Sequence, residues 1–284
     1  MNQCLFCNEN NTEVVFREFG VDYFRCKNCG HLFSSFERDT NYDGYFENIE
    51  NKKETFQYWD ISHKRMYNSF VKKFMAKKGG KILDVGAGLG FFVKFAGEIE
   101  GWDSYGVEIS KEGCNFAKEK LNLKKIFCGR LEETNFEKGS FDIITMWDVI
   151  EHLVEPKSIL KKCYELLKEN GILFLHTPNG EFQLFKSRIK KFFFGEKEGI
   201  HYLEAKDHLN LYKEETIEKL LKSCGFDEIN FLHLPPIQAI AGENDYIKVL
   251  LKNFWWFGVT ALYFLTLKKI NLDNLFVLAQ KKKQ

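Results

Sequence analysis

The stretch KILDVGAGLGFF, residues 81–92, contains three glycines at alternate positions directly after a short apolar run. The run predicts a buried strand that ends near Asp84, and Gly86, Gly88 and Gly90 follow it. This spacing differs from the G-x-G-x-x-G of dinucleotide-binding turns and from a P-loop, which requires Gly-Lys-Ser/Thr. Because glycines let a ligand approach the backbone closely, the stretch predicts a ligand site without a phosphate cradle. Asp84 is placed to bind a ligand amine.

From residue 80 onward the apolar spacing alternates between that of strands and that of helices. The predicted strands are 81–85, 102–108, 124–129, 141–147 and 171–177, and the predicted helices are 91–100, 111–121 and 156–170. Because the strands are short and almost continuously apolar, we expect a parallel sheet covered on both faces. Right-handed crossovers then give a doubly wound, Rossmann-like α/β fold. A helix at 213–225 precedes an antiparallel pair, 225–235 with 273–283, that closes the sheet.

A second acid supports a nucleoside ligand. Glu108 ends the second strand, 24 residues after Asp84. An acid at this place can accept hydrogen bonds from both hydroxyls of a ribose. A nucleoside with an amino-acid arm and no phosphate satisfies these observations, and S-adenosylmethionine is such a molecule. The alternative is a tight strand–helix turn without a ligand.

Four cysteines form two C-x-x-C pairs, Cys4 with Cys7 and Cys26 with Cys29. Two such pairs joined by a hairpin can bring four thiolates to the corners of a tetrahedron, which Zn²⁺ prefers in closed structural sites. We predict a structural zinc ribbon over residues 1–37, and four ordinary buried thiols are the alternative. The other cysteines lack this spacing and are expected to be reduced thiols in the core or at the surface: Cys114, Cys128, Cys163 and Cys224.

Several motifs together resemble a known family. ILDVGAGLGFF, GVEIS, FDIITMWDVIEHL and GILFLHTPN are similar to the successive motifs of class I S-adenosylmethionine-dependent methyltransferases, over about residues 81–281. The four-cysteine ribbon followed by NYDGYFE resembles a subgroup with an N-terminal zinc ribbon, many of whose members act in sugar or cell-surface glycan pathways. DVIEH also resembles the O-methyltransferases of ubiquinone biosynthesis, which lack the ribbon.

The resemblance implies a set of cofactor-binding residues. Asp84 and the glycine loop would hold the methionine arm, Glu108 the ribose, Arg130 and Leu131 would border the adenine, and Met146 with Trp147 would form the floor. Families of this type often have an acid near position 130, where this chain has Arg130. The full set is Asp84, Gly86, Ala87, Gly88, Gly90, Glu108, Ile109, Arg130, Leu131, Met146 and Trp147.

A hydroxyl acceptor benefits from a base near its proton, and three residues are the expected catalytic candidates: His208, His152 and Glu151. A helix-capping role is the alternative for His208, and a helix N-terminal acid with a packed neighbouring histidine is the alternative for the other two. Asp148, Glu151 and His152 together offer a weaker possibility, a Mg²⁺-type site. His176 is expected to pack at a strand end.

Two inserts and a linker surround this domain, which is expected over 80–284. The linker, 38–79, carries Tyr42, Tyr45 and Phe46, which either cover the cofactor or anchor the ribbon. The insert 181–207 is expected to cap the site, and binding of an anionic partner through its cationic residues is the alternative. Within the apolar insert 246–270, the uncharged stretch 254–267 would form a helix only about 21 Å long, shorter than the roughly 30 Å hydrocarbon core of a bilayer. A buried helix, a homodimer surface or a peripheral membrane contact is therefore expected.

The charge balance, 41 basic against 40 acidic residues, gives no reason to expect nucleic acid as a partner. No N-P-P-Y base-methylating motif follows the fourth strand either. We therefore expect a cytoplasmic methyltransferase for a small molecule, with a peripheral position at the inner membrane face as the alternative. A nucleotide-linked or lipid-linked sugar for polysaccharide biosynthesis is the first expectation, and a quinone or lipid-like phenol is the alternative. A ribbon-based binding module with an idle cofactor fold is disfavoured by the intact glycine loop and Glu108.

Overall fold

A computed structural model describes residues 3–4, 6–37, 63–76, 79–200, 202–235, 246–267 and 271–282. The predicted aromatic residues of the linker, Tyr42, Tyr45 and Phe46, lie outside the described residues. The strands are β1 (Thr12–Glu18), β2 (Val21–Cys26), β3 (Leu32–Ser34), β4 (Gly80–Val85), β5 (Trp102–Glu108), β6 (Ile126–Cys128), β7 (Phe141–Trp147), β8 (Leu167–Thr177), β9 (Asn210–Leu211), β10 (Glu228–Leu232) and β11 (Leu275–Gln280). The helices are α1 (Lys64–Phe74), α2 (Phe91–Gly97), α3 (Lys111–Glu119), α4 (Pro156–Leu166), α5 (Gly180–Phe194), α6 (Glu214–Ser223) and α7 (Tyr246–Leu265).

The main sheet has seven strands in the order β10-β11-β8-β7-β4-β5-β6. Neighbours from β8 to β6 run parallel, whereas β11 is antiparallel to both β8 and β10. The predicted Rossmann-like sheet with an antiparallel closing pair is therefore confirmed. The carboxyl ends of β4, β5 and β7 meet at one edge, where a ligand of such a sheet binds.

Two apolar cores cover the faces of this sheet. On one face, side chains of α4 and α6, including Leu160 and Ile217, pack against the sheet with Ile144 at its centre. On the other face, Phe70 of α1 and Phe92 of α2 pack against it. This two-sided burial explains why the central strands are apolar at almost every position.

Helix termini follow their sequence signals. Ser110 caps α3 by accepting a hydrogen bond from the Gly113 amide at 3.2 Å, and Asn179 caps α5 by accepting one from the Phe182 amide at 3.4 Å. Both residue types are preferred at N-caps because their side-chain oxygens satisfy free amides. Pro156 begins α4, where its missing amide costs no hydrogen bond.

Two local predictions were wrong. Residues 167–170 are the start of β8 and not the end of a helix, since Leu167 pairs with Phe141 of β7. The structure also joins Cys114 of α3 to Cys128 of β6 in a disulfide, with Cα atoms 5.8 Å apart, where the sequence predicted separate thiols. The packing of α3 beside β6, set by the crossover, brings the two together.

The ribbon forms a second, four-stranded sheet in the order β1-β2-β3-β9. Its fourth strand, β9, comes from a much later part of the chain. Leu32 of β3 pairs with Leu211, and Phe33 pairs with Asn210. The ribbon therefore shares a sheet with a segment that precedes α6. None of the helices in the described part of the chain is both long and apolar enough to cross a membrane.

Candidate active site

A cavity of about 380 Å³ opens at the carboxyl ends of β4, β5 and β7. This volume is in the range of small-molecule sites. Its wall combines the glycine loop, acids at the strand ends and a group of aromatic side chains. Many of the predicted cofactor-binding residues line it: Asp84, Gly86, Ala87, Gly88, Glu108, Ile109, Arg130, Leu131 and Trp147.

The other two members of the predicted set lie elsewhere. Met146 is fully buried in the core on the α4 side of the sheet. Its side chain points away from the cavity because neighbouring residues of a strand face opposite sides. Gly90 is the N-cap of α2, with φ +83°, and a Cβ there would lie 2.8 Å from Leu123 Cδ1 and 2.9 Å from Ala117 Cβ. Gly90 therefore permits the packing of α2 against α3.

Gly86 has a different constraint. Its φ is +72°, and a Cβ would lie 2.6 Å from Cγ2 of Val149, a cavity residue. Only glycine fits both the backbone conformation and the space. The first glycine of the loop is thus needed to bring the end of β4 against the loop that follows β7.

The two acids of the cavity are held by hydrogen bonds. Asp84 is 3% exposed, and its Oδ1 accepts a hydrogen bond from Thr145 Oγ1 at 2.7 Å. Burial raises the pKa of Asp84 to about 8, and Glu108 nearby adds to the increase. The two carboxylate oxygens of Glu108 accept hydrogen bonds from the Gly88 amide at 2.6 Å and the Ser110 amide at 2.8 Å. Glu108 thereby ties the glycine loop to the end of β5.

Asp148, directly after β7, lines the cavity next to Trp147. Its backbone has a positive φ of 53°, which is uncommon for a residue with a side chain. Oδ1 lies 3.0 Å from Nδ1 of His176, and Nε2 of His176 lies 3.0 Å from Nδ2 of Asn274. Burial would raise the pKa of Asp148, but the nearby His176, with His63 and His152, lowers it below its ordinary value. Asp148 is therefore a carboxylate facing the cavity.

The three predicted catalytic residues come together beside this wall. One ligand atom each of Glu151, His152 and His208 lies within 4.8 Å of the others, and the two imidazole rings are 5.0 Å apart. His152 lines the cavity, Glu151 is buried behind it, and His208 is partly buried. The three groups could also hold a divalent cation. The metal set predicted from the sequence had Asp148 in place of His208.

The protonation of the two histidines follows from their partners. His152 Nδ1 donates to the carbonyl of Asp207 at 2.9 Å, and His208 Nδ1 donates to the carbonyl of Leu203 at 3.1 Å. In the neutral rings the Nε2 atoms are therefore the basic atoms. They are the atoms that would take a proton from an acceptor.

Glu151 differs from an ordinary surface acid. Its Oε2 accepts a hydrogen bond from Thr177 Oγ1 at 2.9 Å, while Oε1 is buried without a hydrogen-bond partner among the described residues. Burial raises the pKa of Glu151 well above its ordinary value, and the charge of Asp148 raises it further. A protonated Glu151 is the form that this environment favours.

Several residues of the wall were not predicted from the sequence, among them two aromatic side chains at the start of α1. His63 and Tyr67, at the start of α1, line the cavity, and their rings are 5.7 Å apart. The segment belongs to the predicted linker, 38–79, in which the sequence indicated cofactor-covering residues only at Tyr42, Tyr45 and Phe46. The i, i+4 spacing of the two rings was a signal for a shared helix face. Nothing local indicated that this face would reach the ligand site.

The four predicted zinc ligands also come together. Cys4 Sγ lies 3.6 Å from Cys29 Sγ, and Cys7 Sγ lies 3.5 Å from Cys26 Sγ. Four sulfurs about 2.3 Å from a tetrahedral Zn²⁺ are roughly 3.8 Å apart. The Phe6 amide donates to Cys4 Sγ at 3.4 Å. The donor set and its spacing fit a structural zinc ion.

The sequence of this chain is similar to those of known methyltransferases. Residues 53–230, more than half of the chain, match the methyltransferase domain family. A ubiquinone biosynthesis O-methyltransferase from Coxiella burnetii is 30% identical over 121 residues, which are 41% of this chain and 51% of that protein. The chain thus spans about half the length of the curated relatives it matches.

Solved structures share the fold. A chain in the complex of the Haloferax volcanii Trm112 methyltransferase activator with a methyltransferase aligns with a TM-score of 0.58 at 12% identity, over 87% of this chain and 100% of that chain. Haemonchus contortus phosphoethanolamine N-methyltransferase 2, in complex with S-adenosyl-L-methionine, aligns with a TM-score of 0.55 at 17% identity. That alignment covers 89% of this chain and 63% of the other. At these identities the likeness concerns the fold.

Proposed function

Since this chain belongs to the methyltransferase domain family, we propose that it transfers a methyl group from S-adenosylmethionine to a hydroxyl of a small acceptor with an apolar ring, such as a quinol or another lipid-like phenol. The curated relatives, named as ubiquinone biosynthesis O-methyltransferases, support this acceptor class. A quinone or lipid-like phenol was the alternative acceptor expected from the sequence. The sugar acceptor, which was expected first, has no counterpart among these relatives.

The charge of the cavity favours a neutral acceptor over a nucleotide-linked sugar. Among the described residues that line it there are five carboxyl groups, Asp84, Glu108, Glu132, Asp148 and Glu155, and one guanidinium, Arg130. A nucleotide-linked sugar carries a diphosphate, which the carboxylates not assigned to the cofactor, Glu132, Asp148 and Glu155, would repel. A neutral aromatic ring suits the apolar part of the wall, which includes Tyr67, Phe92 and Trp147.

The residues of the cavity fit the cofactor. Asp84 would hold the amine of its methionine arm, Glu108 its ribose, and Arg130 and Leu131 would border the adenine. Glycine at position 86 keeps the backbone open toward the cavity. When bound, the cofactor supplies an electrophilic methyl group on a sulfonium.

The protein's own part is to place the acceptor and take up its proton. His152 lines the cavity together with Asp148, and the ring of His208 lies 5.0 Å from that of His152, so one of the two histidines would accept the hydroxyl proton. Protonated Glu151 would add no negative charge beside them. Placement in line with the methyl group supplies much of the acceleration of such a displacement.

The assay follows transfer of an isotope-labelled methyl group from S-adenosylmethionine to a prenylated catechol and, separately, to a nucleotide-linked sugar. We expect labelled catechol ether, and we expect His208→Gln to lower its formation without changing the affinity for S-adenosylmethionine in a calorimetric titration. Transfer only to the sugar would contradict the acceptor class. Cofactor binding without transfer to either acceptor would contradict the proposal as well.

We also propose that the chain docks on an anionic membrane, where a lipid-like acceptor resides. Among the described residues, twelve of the sixteen exposed large apolar side chains belong to α5, to α7 or to the end of α7. They are Phe185, Ile189, Phe192, Phe193, Phe194, Leu250, Phe254, Trp255, Phe257, Phe264, Leu265 and Leu267. We call them the apolar helix surface.

The charges of the same helices favour lipid over a second copy of the chain. Residues 180–194 and 246–265 contain six Lys or Arg and one acid, Glu181, and Glu181 pairs with Arg25. An isologous dimer through this surface would bring like charges together, whereas an anionic bilayer attracts them. Tryptophan is enriched at such interfaces.

The apolar helix surface is connected to the cavity through α1. The rings of Phe182 in α5 and Trp255 in α7 are 6.4 Å apart and nearly parallel, so the two helices are neighbours. The Arg65 guanidinium of α1 lies 5.0 Å from the ring of Trp256, and Tyr67 of the same helix lines the cavity.

Co-sedimentation with vesicles tests the docking. We expect binding to vesicles of phosphatidylcholine with phosphatidylglycerol, weaker binding to phosphatidylcholine alone, and loss of binding in a Phe192→Ser, Phe193→Ser variant. Val14→Ser, at an exposed position of β1, is the matched control. Equal binding of both variants, or a dimer that dissociates in the double variant, would reject a membrane as the partner.

Finally, we propose that Cys4, Cys7, Cys26 and Cys29 hold one structural Zn²⁺. Their closed tetrahedral arrangement leaves no position for a substrate. Elemental analysis of the purified protein should give one zinc per chain, and Cys26→Ser should lower it. A zinc content unaffected by the substitution would refute the assignment.

A further inference from the structure

The ribbon holds the segment that carries His208. Residues 203–209 form neither helix nor strand, so most of their carbonyls need partners outside regular secondary structure. Three of these partners belong to the ribbon: Tyr23 Oη donates to the His208 carbonyl at 2.6 Å, Ser34 Oγ to the Ala205 carbonyl at 2.6 Å, and the Ser34 amide to the Leu209 carbonyl at 2.9 Å.

A further contact fixes the start of the segment. The Leu203 amide donates to Glu18 Oε2 of β1 at 3.0 Å. The Leu203 carbonyl accepts the hydrogen bond of the His208 ring at 3.1 Å, and Tyr23 Oη lies 3.3 Å from the same oxygen. Tyr23 thus contacts both the backbone of His208 and the group that orients its imidazole.

A buried pair links the ribbon to the cavity wall. His31, which follows the second cysteine pair, is 1% exposed and shares a hydrogen bond of 2.9 Å between its Nε2 and Asn210 Oδ1. Asn210 Nδ2 donates to the carbonyl of Leu153, a cavity residue, at 2.7 Å.

We infer that the ribbon positions the active site, with Tyr23 as the residue that sets the location and ring orientation of His208 opposite His152. The ribbon is then a supporting part of the catalytic machinery. The inference deepens the proposed function, because its effect on turnover depends on His208 acting in methyl transfer.

The test compares Tyr23→Phe with Tyr202→Phe. Tyr202 is also buried, and its hydroxyl donates to the carbonyl of Gly195 at 2.5 Å, outside the 203–209 segment. Three quantities are measured: kcat for the prenylated catechol, the affinity for S-adenosylmethionine, and the NMR signals of the His208 imidazole, assigned with His208→Gln.

In Tyr23→Phe we expect kcat to fall roughly tenfold, because small misplacements of a catalytic group are costly. The His208 signals should shift, and the cofactor affinity should stay the same. Tyr202→Phe should change none of these. His208 signals and kcat that are unchanged in Tyr23→Phe, or changed equally in both variants, would overturn the inference.

Two further comparisons cover a variant that does not fold and a wild-type protein without activity. If Tyr23→Phe does not fold, Ser34→Ala removes a single hydrogen bond to the same segment and should shift the same signals, and unchanged signals would overturn the inference. If the wild-type protein methylates no acceptor while the His208 signals shift in Tyr23→Phe alone, the positioning role stands and the proposed function fails.

Discussion

At the scale of single residues, Asp84 is a buried acid that we propose to bind the amine of the cofactor. Its carboxyl group lies at the end of β4 with one hydrogen bond from Thr145, and burial favours its neutral form. A cationic ligand amine would favour the ionised form. The empty site and the occupied site therefore prefer different protonation states of this residue.

The raised pKa of Asp84 makes stability depend on pH. Its value in the folded protein is about 8 against an ordinary 3.8, so between these values the folded state binds a proton that the unfolded state has lost. The free energy of unfolding should therefore fall as pH rises from about 4 to about 8, and this contribution is constant above. Asp84→Asn cannot ionise, so its Tm relative to wild type should increase across that window. Thermal melts at a series of pH values measure this, and a constant difference in Tm would contradict it.

Gly86 provides a second prediction at this scale. Gly86→Ala should lower the free energy of unfolding by about 2–4 kcal/mol, because the positive φ and the overlap with Val149 both disfavour a side chain. Gly199→Ala is the matched control, since Gly199 has φ +80° and no atom within 4 Å of an added Cβ. It should cost about 1 kcal/mol. Denaturant titrations of both variants give the comparison, and equal losses would show that contact with Val149 is unimportant.

Among the elements, the ribbon has only a small core at its cysteine end. Its cysteine end buries Cys4, Phe24, Cys26 and Phe33 as one cluster, which is little apolar area for independent stability. A metal can supply the missing free energy, as in other small zinc units. The other side of the ribbon, with Tyr23 and Leu32, packs against residues 202–211.

Zinc removal should therefore act first on the ribbon. After treatment with a chelator, we expect trypsin to cleave beside Arg25 and Lys27 well before it cleaves the main sheet, because β2 loses the ligands at its end. Mass spectrometry of the early fragments identifies the sites. Cleavage at the same rate before and after chelation would show that no metal stabilises this element.

For the whole molecule, the last strand closes the fold. Although β11 is the final element in the described part of the chain, it lies inside the sheet between β8 and β10, and Leu275, Val277 and Ala279 are fully buried. The sheet is therefore complete only when residues 275–280 have joined strands formed by residues about a hundred positions earlier.

Truncation tests this dependence. A chain that ends at residue 272 lacks β11, so we expect it to lose cooperative thermal unfolding and to aggregate through the exposed edge of β8. A chain that ends at residue 282 keeps β11 and should melt cooperatively, like the full chain. A cooperative transition of unchanged Tm in the shorter chain would show that β11 is dispensable.

The amino-acid sequence by itself determined the alternation of strands and helices, the glycine loop with Asp84, the acid at Glu108 and the two cysteine pairs. Each of these features depends on a short stretch of sequence, either through its apolar periodicity or through the spacing of a motif. For the same reason the sequence could indicate which residues line a ligand site at the ends of β4 and β5.

Only the tertiary structure decided which residues from distant parts of the chain contact one another around the cavity. His152 meets the carbonyl of Asp207, 55 residues away, and Tyr23 meets that of His208, 185 residues away. The 203–209 segment has no apolar periodicity. The residues of α1 that face the cavity have the spacing found in any amphipathic helix. Such contacts arise from the way sheets and helices pack in space, so no local pattern of residues records them.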